Sequence, residues 1–469
     1  MNKTKIIAKI NETNNTKESL KELILNGIDA FCIDLNKFDY TFCLDVMDKI
    51  NNLNTELKTN VAIMLETCGS KVHTNKFYGG SATFKTDDKI RIYMNEVLGD
   101  ETKFSVDYKD LVNDVKYNSV IKLSNGLVEL EVLDKGVDFL LCKVICGGVV
   151  FDNSNVIVPG VKLKNRFLSE TDRNNIIFAS QNNVDYISLS YVSGVDDVLD
   201  VNDLLIDLEN NHLGIIAKIE NEFALEEIDD IINISDGVVI SREDLGIELP
   251  IERIPGIQKS LINKCHLAGK ISIVATDMIS ASNQQLTKAE VSDIANAVLD
   301  GTDAVMFIDK LDNQSYPLET LKATEKIIKA SEEDIDYINF LDISMRSESK
   351  DITGSIACSV AEIANRLMCK AIVAPTASGY TARKMSRFRP KCPIIAISTD
   401  KDTVKSLSLY FGVYPVLVDN LKSLDDIMIR ARKIVVDNID VIEGDKIIIT
   451  GGYPFKEVKH TNLIEIEEL

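Results

Sequence analysis

The 469-residue sequence contains no tryptophan, only four histidines and only nine prolines, and 73 acidic residues outnumber 52 lysines and arginines. Few histidines and no Cys-x-x-Cys pair argue against the usual zinc ligand sets. The formal charge of −21 argues against a nucleic-acid partner, because a phosphate backbone demands a basic face. No run of about eighteen apolar residues occurs, so no membrane span is expected. The opening Met1-Asn2-Lys3-Thr4-Lys5 passes directly into an apolar alternation without a signal-peptide pattern, and a cytoplasmic location is expected. Nine cysteines, an odd number scattered from Cys32 to Cys392, point to buried free thiols rather than disulfides. A chain this acidic must concentrate positive charge locally wherever it holds an anion.

What is present is a regular alternation. Short apolar runs at 5–10, 30–35, 61–65, 184–190, 214–219, 237–240, 271–275 and 304–308 are separated by longer segments. Among these, 17–26, 195–210, 224–233, 255–268 and 288–300 are amphipathic with helical period. Strands that are apolar at nearly every position are covered on both faces, as in parallel sheets. Eight such units predict an α/β fold built on a (β/α)₈ TIM barrel.

The third unit is interrupted. Alternating runs at 89–94, 120–122, 127–133 and 138–144, with turn signals at Ser124-Asn125-Gly126 and Gly147-Gly148, predict a small β-barrel domain inserted after the third strand. Beyond a polar stretch at 344–350, strands at 371–375, 394–398, 414–418 and 446–450 predict a C-terminal open α/β domain. The expected division is a barrel at 1–71 and 160–343, a β lid at 72–159 and the α/β domain at 344–469.

Working residues of such a barrel lie at the carboxyl ends of its strands. The fifth strand ends Lys218-Ile219-Glu220-Asn221, and alternation puts Lys218 and Glu220 on one face. After the sixth comes Arg242-Glu243-Asp244, and the seventh ends Thr276-Asp277-Met278. A lysine beside two carboxylates suits a hard divalent cation with an anionic ligand. It equally suits a solvated salt bridge of Lys218 with Glu220 or Asp244.

The segments Ala217-Lys218-Ile219-Glu220-Asn221, Arg242-Glu243-Asp244-Leu245-Gly246, Val158-Pro159-Gly160-Val161, Ala289-Glu290-Val291-Ser292-Asp293 and Arg387-Phe388-Arg389-Pro390 stand in one order along the chain. Together they resemble the pyruvate kinase family from about residue 3 to 462. The resemblance implies transfer of phosphate from phosphoenolpyruvate to ADP, giving pyruvate and ATP. Lys218 would stabilise the phosphoryl group in flight, and Glu220 and Asp244 would hold Mg²⁺ (or Mn²⁺). Thr276 would stand near the enolate, with Arg242, Glu243, Asp244 and Thr276 around the substrate. A cytoplasmic homo-oligomer, a tetramer, is also implied.

Several positions depart from that family. Cys32 aligns with a phosphate-binding arginine and His73 with a second, and neither can form a guanidinium fork. Glu243 replaces a glycine whose backbone would face the substrate carboxylate, the segment 308–311 has lost a Ser-Gly-Glu-Thr pattern, and Ser154 replaces a lysine expected to reach nucleotide phosphate. Asp34, Asn36, Glu66 and Thr67 align with monovalent-cation positions. Lys71 stands where members that work without K⁺ carry lysine, so K⁺ is not required on this reading. Lys37 and Lys310 are either compensating cations or exposed surface lysines. Thr376, Ser378, Gly379 and Thr381 resemble an effector-phosphate loop, and the same residues would also serve as an ordinary helix-capping loop. Two functions are expected from this balance, a pyruvate kinase with a weakened phosphate grip or an inactive homologue serving as a ligand-binding or regulatory partner, with a third, weaker reading of an enzyme acting on a different anion through Lys310, Lys37 and His73.

Overall fold

The computed structural model describes residues 1–164, 167–210, 212–276, 286–307, 318–347, 351–421, 423–452 and 461–469. Eight parallel strands close into a barrel: β1 Lys5–Lys9, β2 Ala30–Asp34, β3 Ala62–Glu66, β4 Tyr186–Leu189, β5 Gly214–Ile219, β6 Gly237–Ser241, β7 Ile271–Thr276 and β8 Ala304–Phe307. They follow chain order around the barrel, and β8 pairs with β1. The expected barrel is therefore present, with the described strand ends within two residues of those predicted.

Period-two alternation divides each strand between two cores. Ile7, Ala30, Met64, Tyr186, Ile216, Val239, Ile273 and Ala304 belong to one buried cluster, which continues into the C-terminal unit. Their neighbours Ile6, Phe31, Ile63, Ile187, Ile215, Val238, Val274 and Val305 pack in another, with residues of the surrounding helices. Apolar residues at both parities are what a doubly covered strand requires. The segment expected as one helix at 224–233 is two, Glu222–Glu226 and Ile228–Ile234, broken at Glu227. A short helix the pattern did not reveal, Arg242–Glu248, follows β6 directly.

Four aspartates pin the amino-terminal rim. Asp29, Asp185, Asp236 and Asp303 each precede an even-numbered strand and exchange bonds with the strand before it. Their carboxylates accept from the N–H groups of Ile6, Ile63, Ile215 and Ser272, while their own N–H groups donate to the carbonyls of Ile6, Ile63, Ile215 and Ser272.

Between β3 and β4 the chain builds a separate seven-stranded sheet and a two-stranded ribbon. The two edges of the larger sheet meet through a Thr74–Val106 bridge, so the sheet curls on itself. Its turn at Ser124, Asn125 and Gly126 has positive φ throughout. Next to that turn, Lys122 donates to the carbonyl of Ile247 at 2.8 Å, docking the insert on the helix after β6.

The C-terminal sheet comprises β9 Ala371–Pro375, β10 Ile394–Ser398, β11 Val413–Leu417, β12 Lys446–Gly451 and β13 Leu463–Glu468, in the order β11-β10-β9-β12-β13, with only the last pair antiparallel. It is tied to the barrel by Arg389, which reaches Asp303 at 2.8 Å and the Gly301 carbonyl at 3.0 Å. Asp303 also accepts from the N–H of Phe411, so its carboxylate is fully used.

Both partners of that pair are buried, so Arg389→Met leaves an uncompensated charge. A loss of about 3–5 kcal/mol is expected, read from the urea midpoint. A second expectation concerns His266, buried with its ring nitrogen 2.6 Å from the Ser344 hydroxyl. Burial and the nearby Arg389 and Arg387 push its pKa well below the usual value. The folded chain keeps it neutral while the unfolded chain binds a proton below about pH 6.5, so its contribution to stability falls with pH through that range. Unfolding measured from neutral pH to about pH 5 should show a smaller loss in His266→Gln than in the wild type.

Candidate active site

The parity that sends Ile7, Ala30, Met64 and Ile216 into the barrel carries Lys9, Asp34, Glu66 and Lys218 to its interior at the carboxyl end. There the charges alternate. Lys218 Nζ lies 2.7 Å from Glu66 Oε1 and 3.1 Å from Glu220 Oε1. Lys71 Nζ, at the entry to the insert, lies 3.1 Å from the same Glu220 oxygen and 3.8 Å from Asp244 Oδ1. On the other side, Lys9 Nζ lies 2.8 Å from Glu66 Oε2 and 3.1 Å from Asp34 Oδ2.

Burial and pairing pull these groups in opposite directions. Desolvation disfavours the Glu220 anion, yet Lys218 and Lys71 hold its pKa down to about 2. Glu66 is likewise buried, and Lys218 and Lys9 outweigh that burial and keep it below the ordinary carboxylate range. The lysines stay protonated: burial opposes the charge of Lys218, and Glu220 and Glu66 more than restore it. Asp244 moves the other way, raised by burial and then by Glu220.

Local geometry fixes the two outer carboxylates. Asp244 lies in the first turn of the helix Arg242–Glu248 and accepts from the Ser241 hydroxyl at 2.6 Å. The second oxygen of Glu220 accepts from the N–H of Tyr191, a non-glycine residue at φ +59° whose hydroxyl donates to Glu248. After β3 the chain turns through Cys68 and Gly69, whose N–H groups both donate to Asp172. A Cβ at Gly69 would lie 2.6 Å from the Ser190 carbonyl oxygen, so the turn that delivers Lys71 requires glycine.

The donor set fits a hard dication at Glu220 and Asp244, two carboxylates at the mouth whose mutual repulsion such an ion would relieve. The monovalent-cation positions do not fit an ion. Asp34 and Glu66 close on the ammonium of Lys9, and Asp34 also accepts from the Asn36 N–H. The Thr67 hydroxyl is used by the Ser188 carbonyl and the Ser190 N–H, and Asn36 is exposed.

A model described as pyruvate kinase, barrel domain, matches residues 1–321, and one described as pyruvate kinase, alpha/beta domain, matches residues 354–467. The chain belongs to the pyruvate kinase family. It is 35% identical to a pyruvate kinase of Clostridium perfringens over the whole of both chains. With a pyruvate kinase of Sporosarcina psychrophila it shares 36% identity over 99% of this chain and 80% of that one. A solved pyruvate kinase from Cryptosporidium parvum superposes with a TM-score of 0.93 at 29% identity, covering 100% of this chain and 96% of the other.

Positions that depart from the family pattern have definite places. Cys32 is buried on β2, its thiol 3.7 Å from Glu66 and pushed far up by burial. His73 lies in the insert, held by Asp107 at 3.2 Å. Arg242 reaches Asp293 at 3.3 Å, and Glu243 occupies the same helical turn as Asp244. Ser154 bonds within its own turn, to the Phe151 carbonyl. Lys37 is exposed. Lys310 with the rest of 308–311, and Asp277 and Met278, lie outside the described residues; of Thr276 only the backbone, ending β7, is described. In the C-terminal unit, Gly379 takes φ +76° before the helix Tyr380–Arg387, and the Thr381 hydroxyl is buried against that of Thr461. Ser378 lines a cavity of about 620 Å³ between the barrel floor and this helix, with Lys270, Arg383 and Lys384; Thr376 is not among its lining residues.

Lys9 and Tyr191 escaped the sequence reading. Lys9 was recoverable, being two residues beyond Ile7 on the inward face of the first strand. Tyr191 carried no signal, since its part is played by a backbone N–H in a left-handed conformation.

Glu66 separates Lys9 from Lys218, so Glu66→Gln should destabilise the chain by about 3–5 kcal/mol. Adding Lys9→Met should recover part of that loss, a coupling that a double-mutant cycle of urea unfolding measures directly.

Proposed function

We propose that this chain transfers the phosphoryl group of phosphoenolpyruvate to ADP, in a site with a weakened grip on phosphate. The observation that carries the reading is the Lys218 ammonium, held between Glu66 and Glu220 at the carboxyl end of β5 with Asp244 beyond Lys71. The enol-phosphate P–O bond breaks and a terminal ADP oxygen bonds to phosphorus. The enolate then takes a proton at carbon to give pyruvate. Little covalent chemistry falls to the protein, so the task is placement and charge neutralisation.

In this reading Lys218 turns its ammonium to the phosphoryl oxygens in flight, and Glu66 and Glu220 hold it in position. Glu220 and Asp244 are the residues that would hold Mg²⁺ (or Mn²⁺), which when bound supplies positive charge to the phosphate oxygens. Arg242 and the turn with Glu243 and Asp244 border the substrate, and Thr276 ends the strand beside it. The insert at 72–159 acts as a lid over the barrel at 1–71 and 160–343, and the unit at 344–469 is regulatory. Ser378, in a floor cavity where Lys270, Arg383, Lys384 and Arg387 outnumber Asp236, Asp400 and Asp402, supports an anionic effector there. Assembly as a homo-oligomer, a tetramer, follows the family resemblance.

Cys32 and His73 favour a second reading, a homologue that binds ligand without turnover, since neither supplies a guanidinium fork. Loss of one preorganised charge-stabilising group costs about a hundred- to a thousandfold in rate. Pyruvate formation from phosphoenolpyruvate, ADP and Mg²⁺ decides between them, with protein made in a host lacking its own pyruvate kinases. Turnover is expected, and Lys218→Met should lower it by at least about a hundredfold. A folded wild type no faster than Lys218→Met would leave only the ligand-binding reading.

A further inference from the structure

Lys9 is a half-buried cation that the proposed reaction does not use. It ends β1 on the inward face, and its ammonium is seated between Asp34 Oδ2 at 3.1 Å and Glu66 Oε2 at 2.8 Å. We infer that this ammonium is a tethered monovalent cation, filling from within the chain a place that would otherwise recruit K⁺. The inference deepens the proposed reading of the site and rests on it for the site's purpose, but not for the seating of Lys9.

Three observations support it. First, the two carboxylates that grip Lys9 are two of the four residues aligned with monovalent-cation positions. A third, Thr67, spends its hydroxyl on backbone groups of Ser188 and Ser190. Second, Lys71, the lysine that the sequence singles out for this task, faces Glu220 and Asp244 instead. It therefore neutralises the carboxylates suited to the dication and leaves Asp34 to Lys9. Third, Cys32 is the register partner of Lys9 across β1 and β2 and is small, uncharged and fully buried. A long cationic side chain at position 32 would compete for the same two carboxylates, whereas a thiol leaves the Lys9 stem a clear path to them.

Lys9 also keeps the charges in near balance. With it, three ammonium groups face four carboxylates: Lys9, Lys71 and Lys218 against Asp34, Glu66, Glu220 and Asp244. Without it, two face four, and Asp34 has lost the cation it closes on. A tethered ammonium has no entropy of capture from solution to overcome, so the site is filled at any salt concentration.

The test is thermal unfolding of the wild type, Lys9→Ala and Lys9→Gln in KCl and in tetramethylammonium chloride at equal ionic strength. The bulky cation controls for screening. The wild-type midpoint should be the same in both salts. Both variants should unfold at a lower temperature in tetramethylammonium and recover several degrees in KCl, with a shift that saturates as K⁺ is raised. Lys9→Ala that folds only when K⁺ is present would also support the inference. A wild type selectively stabilised by K⁺ would overturn it, as would a Lys9→Gln protein indifferent to K⁺. Because the readout is unfolding rather than turnover, a catalytically inactive protein tests the inference equally well, and failure here is distinct from failure of the proposed reaction.

Discussion

One run of contacts, Asp34–Lys9–Glu66–Lys218–Glu220–Lys71–Asp244, crosses the mouth of the barrel and holds opposite charges next to one another along its length. Taking an ion out of water costs several kcal/mol even after the protein relaxes, so each member depends on its neighbours for its presence there. Glu66 divides its two oxygens between two lysines, and Glu220 gives one oxygen to two lysines and the other to a backbone N–H. The arrangement is strong as a set and fragile at any one link. On the proposed reading it is also adaptable, since ammonium groups would turn to an incoming anion while a metal cation takes over their carboxylates. A layer of valines has no such response.

That chain depends in turn on a barrel that does not shift register, because a one-residue slip would turn every inward charge outward. The opposite rim supplies the constraint. Asp29, Asp185, Asp236 and Asp303 stitch alternate strand pairs at their amino-terminal ends. Three of them also meet cations: Lys5, Lys405 and Arg389. Lys405 and Arg389 come from the C-terminal unit, so that unit braces the barrel floor while the insert braces its mouth through Lys122. The charged end and the braced end of the barrel are thus joined by strands only four to six residues long.

The strands and the order of units were legible because a doubly covered strand must be apolar at every position, which leaves little room for another reading. Helix breaks were less so. The stop at Glu227 interrupts a pattern that is apolar and amphipathic on both sides, and only tertiary packing decides it. Within the site, Lys218 and Glu220 were found because both lie on one strand, where alternation alone puts them on one face. Glu66 was recognised by alignment, but its grip on two lysines joins three strands, and no local pattern encodes that. The partner of Lys71 depends on the turn at Gly69, which aims the chain toward Glu220 and Asp244 rather than Asp34. Alternation alone would have put Lys9 on the inward face two residues beyond Ile7, but not its partners, which depend on its register with Cys32, twenty-three positions away in sequence and adjacent in space.

The arithmetic of the chain bears on how substrate and metal enter. In this run of contacts among the described residues three ammonium groups face four carboxylates, in a protein already at −21, so the run holds no spare cation for an anion. Replacing a guanidinium on β2 by a thiol would worsen this if no other cation stood nearby. Lys9 restores the count but directs its charge to Asp34 and Glu66 rather than outward, so it stabilises the site without gripping phosphate. On the proposed reading, Glu220 and Asp244 would hold a dication, which would supply the positive charge that an anionic ligand needs there. Metal and phosphate-bearing substrate are then coupled ligands, each raising the affinity for the other by the same factor.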